Sequence, residues 1–228
     1  MQLEIPTREL IEKYRKEFEN KNNADEEAIK ELFKIFPDNK DYKGVLLKSI
    51  VINSLYYTQI RAITNVAKHI VELNIDARLR QGDPEVVEQI ASLTFKVKGR
   101  TKGKMRRNYS FATKYCSFHQ PDLYPIYDSI VDKILKAYQR QDTFSSQPLG
   151  DLKDYHRFKE VLEKFVTYYE GLGMPSWREL DYFLHDYGRE KFPIGPNKIL
   201  SKTTVSVACF AGVPEVTSSS HVGSLRRA

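Results

Sequence analysis

Asp128 follows the turn YPIY and heads the apolar helical pattern SIVDKILKAY. A carboxylate in that place caps the helix by accepting backbone N–H bonds. Beside a cleft, it can also deprotonate a water or stabilise a cationic transition state. The two roles are compatible. Upstream, Ser110 and Lys114 are one helical turn apart and share a face. A lysine amine that loses its proton is a nucleophile, whereas a lysine near a basic segment usually just meets phosphate. Phe118, His119, Tyr124 and Tyr127 flank the Asp128 turn. They suit stacking against a planar ring and core packing equally. Cys116-x-x-His119 has the spacing of half a metal site. Zinc needs four protein ligands, or three and a water, and no second pair stands nearby, so no metal is expected.

The segment before these residues, KVKGRTKGKMRR, carries Lys96, Lys98, Arg100, Lys102, Lys104, Arg106 and Arg107 and no acid. Its seven charges exceed the net +6 of the whole chain and leave the remainder at −1. The basicity is therefore local. A local stripe is the footprint of a polyanion contact, and a phosphate backbone is the commonest such partner.

The elements that must position these groups read as helices. Ile29, Leu32, Phe33 and Phe36 recur at helical spacing, with Asp38 and Asn39 as breakers. Leu47, Ile50, Val51 and Leu55 give a second inward stripe, and Ile60, Ile63, Ala67 and Ile70 a third. Asp83-Pro84 predicts a helix with proline at its first position. Phe158, Val161, Leu162, Phe165, Val166 and Tyr169 form a stripe closed by Gly171 and Gly173. Ser176 and Glu179 predict a capping box, followed by Leu180, Phe183, Leu184 and Tyr187 facing inward. Strand patterns are nearly absent before residue 200. Residues 196–228, with TTVSVACF and TSSSHVGSLRRA, read as a tail: flexible, a small β appendage, or residues left by expression cloning.

The 228 residues suit one domain or two closely packed lobes. No apolar run approaches the roughly 18 residues of a membrane span, and MQLEIPTREL has no apolar signal core. Two distant cysteines, Cys116 and Cys209, suggest no disulfide framework. The expectation is a cytoplasmic, nucleoid-associated protein without a membrane partner.

The stretch SFATKYCSFHQPDLYPIYDSIVDKIL resembles the second half of the catalytic motif of helix-hairpin-helix DNA glycosylases, the superfamily of the endonuclease III, adenine glycosylase and 8-oxoguanine glycosylase types. There a hairpin on DNA phosphate leads into a helix with an early Ala. Sixteen residues later comes a catalytic Asp, the spacing of Ala112 to Asp128. VINSLYYTQIRAITNVAKHI is similar to the helix, loop and helix on the DNA side of the cleft. The resemblance puts Asn53, Tyr56, Tyr57, Thr58 and Gln59 near the residue that fills the gap left by a flipped base. It covers roughly residues 43–136. The family's Gly-hydrophobic-Gly hairpin is replaced by GRTKGKMRRN, with Gly99 and Gly103 only. Bifunctional members carry a nucleophilic Lys two residues before the Ala; here that place is Ser110.

The resemblance implies an all-α, two-lobed domain over residues 1–195 with an interlobe cleft. It implies a monomeric, monofunctional DNA glycosylase that hydrolyses the N-glycosidic bond of a flipped, damaged or modified base. Asp128 takes the catalytic place, with Lys114 as a possible substitute nucleophile beside Ser110. Lys98, Arg100, Lys102, Lys104, Arg106 and Arg107 contact the backbone of double-stranded DNA. Tyr57, Gln59, Phe118, His119, Tyr124 and Tyr127 are base-pocket or wedge residues. No cofactor is expected, and two cysteines are too few for the four-cysteine iron–sulfur cluster of some members. The alternatives are an inactive nucleic-acid-binding protein of the same fold, or a helical interaction protein.

Overall fold

Helix α1 (Arg8–Ile35) starts where Thr7 accepts the Leu10 N–H at 3.3 Å. It stops at Phe36, before the Asp38-Asn39 breakers. Asp41 caps α2 (Tyr42–Leu55) through the Gly44 N–H. Then come α3 (Ile63–Glu72), α4 (Asp76–Arg80) and α5 (Glu85–Ala91). Helix α6 (Tyr109–His119) carries Ser110, Ala112 and Lys114, and α7 (Ser129–Asp142) begins at Asp128. Asp154 caps α8 (Tyr155–Tyr168), and a 3-10 turn (Glu170–Leu172) leads to α9 (Trp177–Lys191). The expected capping box is present: Ser176 and Glu179 exchange bonds at the head of α9. The computed structural model describes residues 2–95, 104, 105 and 107–193.

Among the described residues the protein is all-α apart from one two-residue antiparallel pair, Thr94–Phe95 with Lys104–Met105. The near absence of strand patterns before residue 200 agrees with so short a pair. Pro84 is the N-cap of α5, one position before the first helical residue. The expectations for the tail, residues 196–228, lie outside the described residues. No described helix is long and apolar enough to cross a membrane.

Residues through Phe192 fall in one compact unit. Helix α6 packs against α1, α2 and α5, while α9 packs on α1 and α7. The approach of α9 to α7 is close. A Cβ at Gly188 would stand 2.6 Å from Ile130 Cγ2, so only glycine lets the two helices meet there. This contact sets the last turn of α9 beside the start of α7. Tyr14, Phe183 and Tyr187 pack edge-on and stacked between α1 and α9.

One expectation is reversed. In α2, Leu47, Ile50 and Leu55 are exposed, while Val45, Lys48, Ser49 and Ile52 are buried. Gly44 explains the rotation: a Cβ there would lie 2.6 Å from the Phe36 ring, so α2 presses its Gly44 face on the end of α1. Lys48 follows on that face. Its Nζ donates to the carbonyls of Phe36 at 2.9 Å and Asp38 at 2.7 Å and to Asn39 Oδ1 at 3.0 Å.

Candidate active site

Lys114 is buried on α6. Its Nζ donates to Ser110 Oγ at 2.9 Å and lies 3.9 Å from Asp128 Oδ2. The helix period produces the first contact, because i and i+4 stack on one face. The second follows from the turn before α7, which brings Asp128 back over the middle of α6. Thr113 Oγ1 accepts the Tyr127 N–H at 3.2 Å and fixes that turn. Asp128 also accepts the Ile130 N–H at 2.8 Å. The structure therefore brings together Ser110, Lys114 and Asp128, and Asp128 caps α7 while facing the amine.

Burial alone would raise the Asp128 carboxyl. Lys114, the Ile130 N–H, His185 and Arg189 outweigh it and hold the group below its ordinary range. Burial pushes the Lys114 amine down, against the pull of Asp128 and Asp181. The site thus holds an ionised carboxylate beside an amine that gives up its proton more readily than a surface lysine.

Helix α9 supplies a second wall that sequence reasoning missed. Arg178, Asp181 and His185 lie at i, i+3 and i+7, one polar row beside the apolar stripe. Arg178 is held by Glu26 of α1 at 3.4 Å and stacks 4.4 Å over the Phe118 ring. The Phe118 ring is 5.8 Å from that of Tyr56, and Lys114 Nζ lies 5.4 Å over Tyr56. Asp181 Oδ2 is 4.0 Å from Arg178 Nη1, and its side chain is 16% exposed. Among the described residues, no donor makes a hydrogen bond to the Asp181 carboxylate. Burial raises that carboxyl to about 6, against the lowering effect of Arg178, His185 and Lys114. His185 Nδ1 donates to Asp186 Oδ1, 2.7 Å away. Burial disfavours its charge, but Asp186, Asp181 and Asp128 prevail and raise it. The signal was available: three ionisable residues at helical spacing on the flank of a buried stripe.

The other expected residues divide. Phe118 belongs to the cluster. His119 does not: its Nε2 lies 3.1 Å from both Asn39 Oδ1 and Lys48 Nζ, inside the α1–α2 junction. Tyr124 is core, stacked on Tyr155 with its hydroxyl on the Asp83 carbonyl. Tyr127 is core against Tyr109 and Phe158. Tyr57 is 70% exposed, and both it and Gln59 hold left-handed backbone, with φ of 49° and 57°. Such φ values are uncommon for side chains of this kind. Asn53 holds the loop by accepting from Ile60 N–H at 2.9 Å and Thr58 Oγ1 at 2.7 Å. Of the basic stretch, Lys98, Arg100, Lys102 and Arg106 lie outside the described residues, and Lys104 is placed only by its backbone pairing with Phe95. Arg107 pairs with Glu88 and stacks 5.1 Å over Tyr109. Cys116 is buried and its thiol is pushed up by burial, which removes it as a nucleophile. An open groove of about 370 Å³ between Phe144 and the Glu160–Tyr168 side of α8 shares no residue with the cluster.

Residues 10–123 match the family model described as HI_0787_N, N-terminal domain. A protein of Haemophilus influenzae (strain ATCC 51907 / DSM 11121 / KW20 / Rd), described as an uncharacterized protein, is 42% identical over 146 residues. The alignment covers 64% of this chain and 66% of that relative. No solved structure matches the chain.

Proposed function

We propose, for a chain that belongs to the family described as HI_0787_N, N-terminal domain, an N-glycosyl hydrolase that acts on a nucleotide extruded from DNA. Family membership carries no chemistry of its own. The observation that carries the reading is the buried Lys114 amine between Ser110 and the Asp128 carboxylate. An ionised carboxylate at that point stabilises the positive charge that develops on the sugar as the base departs. The Ala112–Asp128 spacing and the helix–loop–helix over 43–70 support a two-lobed glycosylase frame of the helix-hairpin-helix type. Tyr57 and Gln59, on a loop braced by Asn53, suit the wedge that replaces the flipped base. Residues 96–107 supply the backbone contact. The protein then works as a monomer on duplex DNA in the cytoplasm.

Asp128→Asn tests the assignment, because Asn keeps an oxygen for the cap. Melting should shift by at most about 1 kcal/mol in stability. Single-turnover base release should fall by on the order of a hundredfold or more. Release as fast as wild type would remove the catalytic assignment. The backbone contact is tested separately: Lys102, Lys104 and Arg106 changed together to Ala should flatten the log–log salt slope of DNA binding by roughly one unit per lost contact. An unchanged slope rejects residues 96–107 as the DNA contact.

A second reading is favoured by one specific observation, the desolvated state of Lys114. A neutral amine there attacks the sugar itself and forms a Schiff base, with strand cleavage after it. Borohydride decides between the two. Trapping on an abasic duplex that is lost in Lys114→Ala establishes covalent chemistry. Trace trapping alone leaves hydrolysis with an intact strand.

A further inference from the structure

Exposed apolar side chains gather on one part of the surface. Among the described residues eight large ones are exposed, and four of these, Leu47, Ile50, Leu55 and Tyr57, fall within eleven residues. Tyr57 belongs to the loop after α2, whereas Leu47, Ile50 and Leu55 are on the helix itself. Leu47, Ile50 and the half-buried Val51 stand at i, i+3 and i+4, and Leu55 follows one turn after Val51. This row lies outside the buried set of Gly44, Val45, Lys48, Ser49 and Ile52. A surface helix ordinarily turns polar residues to water. In α2 the inner and the outer side are both apolar, and single scattered side chains do not account for a row.

The charge around the row has one sign. From Tyr42 to Val71, through α2, the loop and α3, the sequence holds no Asp or Glu, although the chain carries 30 acids in 228 residues. Its cations are Lys43, Lys48, Arg61 and Lys68. Lys48 is buried, with its donors matched inside the fold. Lys43, Arg61 and Lys68 are exposed and, among the described residues, in no ion pair. Lys43 stands one turn before Leu47 on the same face. Helix α3, which carries Lys68, packs against α2.

We infer that the outer face of α2 is a docking surface for an acidic amphipathic helix of a partner protein. The inference goes beyond the glycosidic reading and does not depend on it. The apolar row supplies a seam on which a second helix lays its own apolar stripe. Lys43 meets carboxylates on the flank of that stripe, and Arg61 and Lys68 add to the positive field that draws them in. Other occupants use less of the surface. A phosphate backbone takes the cations and leaves Leu47 and Ile50 with nothing to meet. A second copy of this chain in twofold contact sets one basic rim against another. A lipid surface takes in an apolar helix face to a depth of roughly 5–10 Å. Leu47, Ile50 and Leu55 are 45%, 42% and 38% exposed, so α2 is set too deeply among its neighbours to enter it. The 14 residues of α2 span about 21 Å, a contact of the small, transient class.

The test uses the full chain and three labelled peptides of about 18 residues, long enough to lie along α2. The first sets Leu at i, i+3, i+4 and i+7 with Glu on the flanks. The second has Lys for each Glu, and the third keeps Glu but has Gln for each Leu. Anisotropy titrations are run at low and at physiological salt, beside an unmodified DNA duplex and vesicles of phosphatidylglycerol and phosphatidylcholine. The first peptide should bind in the micromolar range, about tenfold or more tighter than the other two. Leu47→Gln combined with Ile50→Gln should weaken it by about tenfold or more without a shift in melting. Lys43→Glu should weaken it by about threefold or more at low salt and by less at physiological salt. Duplex binding by the double variant should match wild type. Absence of binding by the first peptide, equal binding of the second, or a double variant that binds the first as wild type does overturns the inference. So does duplex or vesicle binding that falls in the double variant while peptide binding does not, which gives the face to DNA or to lipid. Should the double variant melt below wild type, Lys43→Glu decides: peptide affinity that neither this change nor salt moves overturns the inference. Base release is not read in any arm, so failure of the glycosidic reading leaves the result as it stands.

Discussion

Among the described residues two lysines are buried, and they are built differently. Lys48 has a partner for each of its three N–H donors: two backbone carbonyls and the Asn39 amide oxygen. Asn39 is in turn fixed by Asp76, which accepts its Nδ2 at 2.7 Å and its backbone N–H. Burial pushes the Lys48 amine down to about 8, with Asp76 and Asp38 opposing, so it remains mainly charged at pH 7. Among the described residues Lys114 has one hydrogen-bond partner, Ser110, and a carboxylate beyond hydrogen-bond range. A buried charge with every donor matched is a structural clamp, since each lost bond leaves an orphaned acceptor. A buried charge left short of partners costs stability, and folds keep such a group where chemistry needs it. The contrast between the two lysines is what separates the α6–α7–α9 cluster from the α1–α2 junction, although both are polar and both are inside.

The largest effect follows directly. Lys48→Met removes three donors and strands the Phe36 and Asp38 carbonyls where the chain turns from α1 to α2. Stability should fall by about 3 kcal/mol or more. Lys114→Met keeps volume and removes a poorly solvated ammonium. Asp128 keeps the Ile130 N–H and a side chain 28% exposed to water. Stability should therefore change by at most about 1 kcal/mol, while, on the proposed function, base release falls because Asp128 loses the cation that helps keep it ionised. Urea titration of the two variants side by side makes the measurement. Equal losses would erase the distinction between clamp and site.

The carboxyl of Asp181 sharpens the same contrast through pH. Its folded value, about 6, stands above the ordinary 3.8. A raised carboxyl favours folding in its protonated form. Its contribution is present below the unfolded value and is lost as pH rises through 6. Asn has no charge to bury, so Asp181→Asn should be more stable than wild type at pH 8, by about 1–3 kcal/mol, and nearly equal to it at pH 4. Melting curves at the two pH values check this. A gain of equal size at both would show that burial of the charge is not the cause.

Much of the frame was legible in sequence. Caps at Asp128 and Ser176 are local hydrogen-bond chemistry, and the stripes of α8 and α9 have clean helical periods. The meeting of Ser110 and Lys114 follows from a four-residue spacing alone. Asp128 was legible as a cap, whereas its reach to Lys114 depends on how the turn at Tyr124–Tyr127 folds back, which no local rule gives. The α9 row was hidden because Leu180, Phe183, Leu184 and Tyr187 explain that helix without it. In His119, Tyr124 and Tyr127, position in the chain suggested a pocket, but their partners are supplied by Lys48, Tyr155 and Phe158 from distant segments. An aromatic residue near the Asp128 turn is assigned by what packs on it, and that information is tertiary.

Helix α2 gives the clearest case of ambiguity and, on its outer face, the smallest expected effect. Its sequence, YKGVLLKSIVINSL, places apolar side chains around most of the helix, so the stripe through Leu47, Ile50, Val51 and Leu55 marks a face only weakly. The Gly44–Phe36 contact and the Lys48 clamp select it instead, and they leave Leu47, Ile50 and Leu55 at 45%, 42% and 38% exposure. If the clamp sets the rotation of α2, polar residues on the outer face are harmless. Leu47→Glu and Ile50→Lys should each change stability by no more than about 0.5 kcal/mol, the range for exposed positions without special contacts. Val45→Asp and Ile52→Asp on the inner face bury an unpaired charge and should unfold the domain. Thermal melting of the four variants distinguishes the two rotations. A large loss from Leu47→Glu with a mild effect from Val45→Asp would restore the rotation that the apolar pattern suggested, and Lys48 would then face water rather than the end of α1.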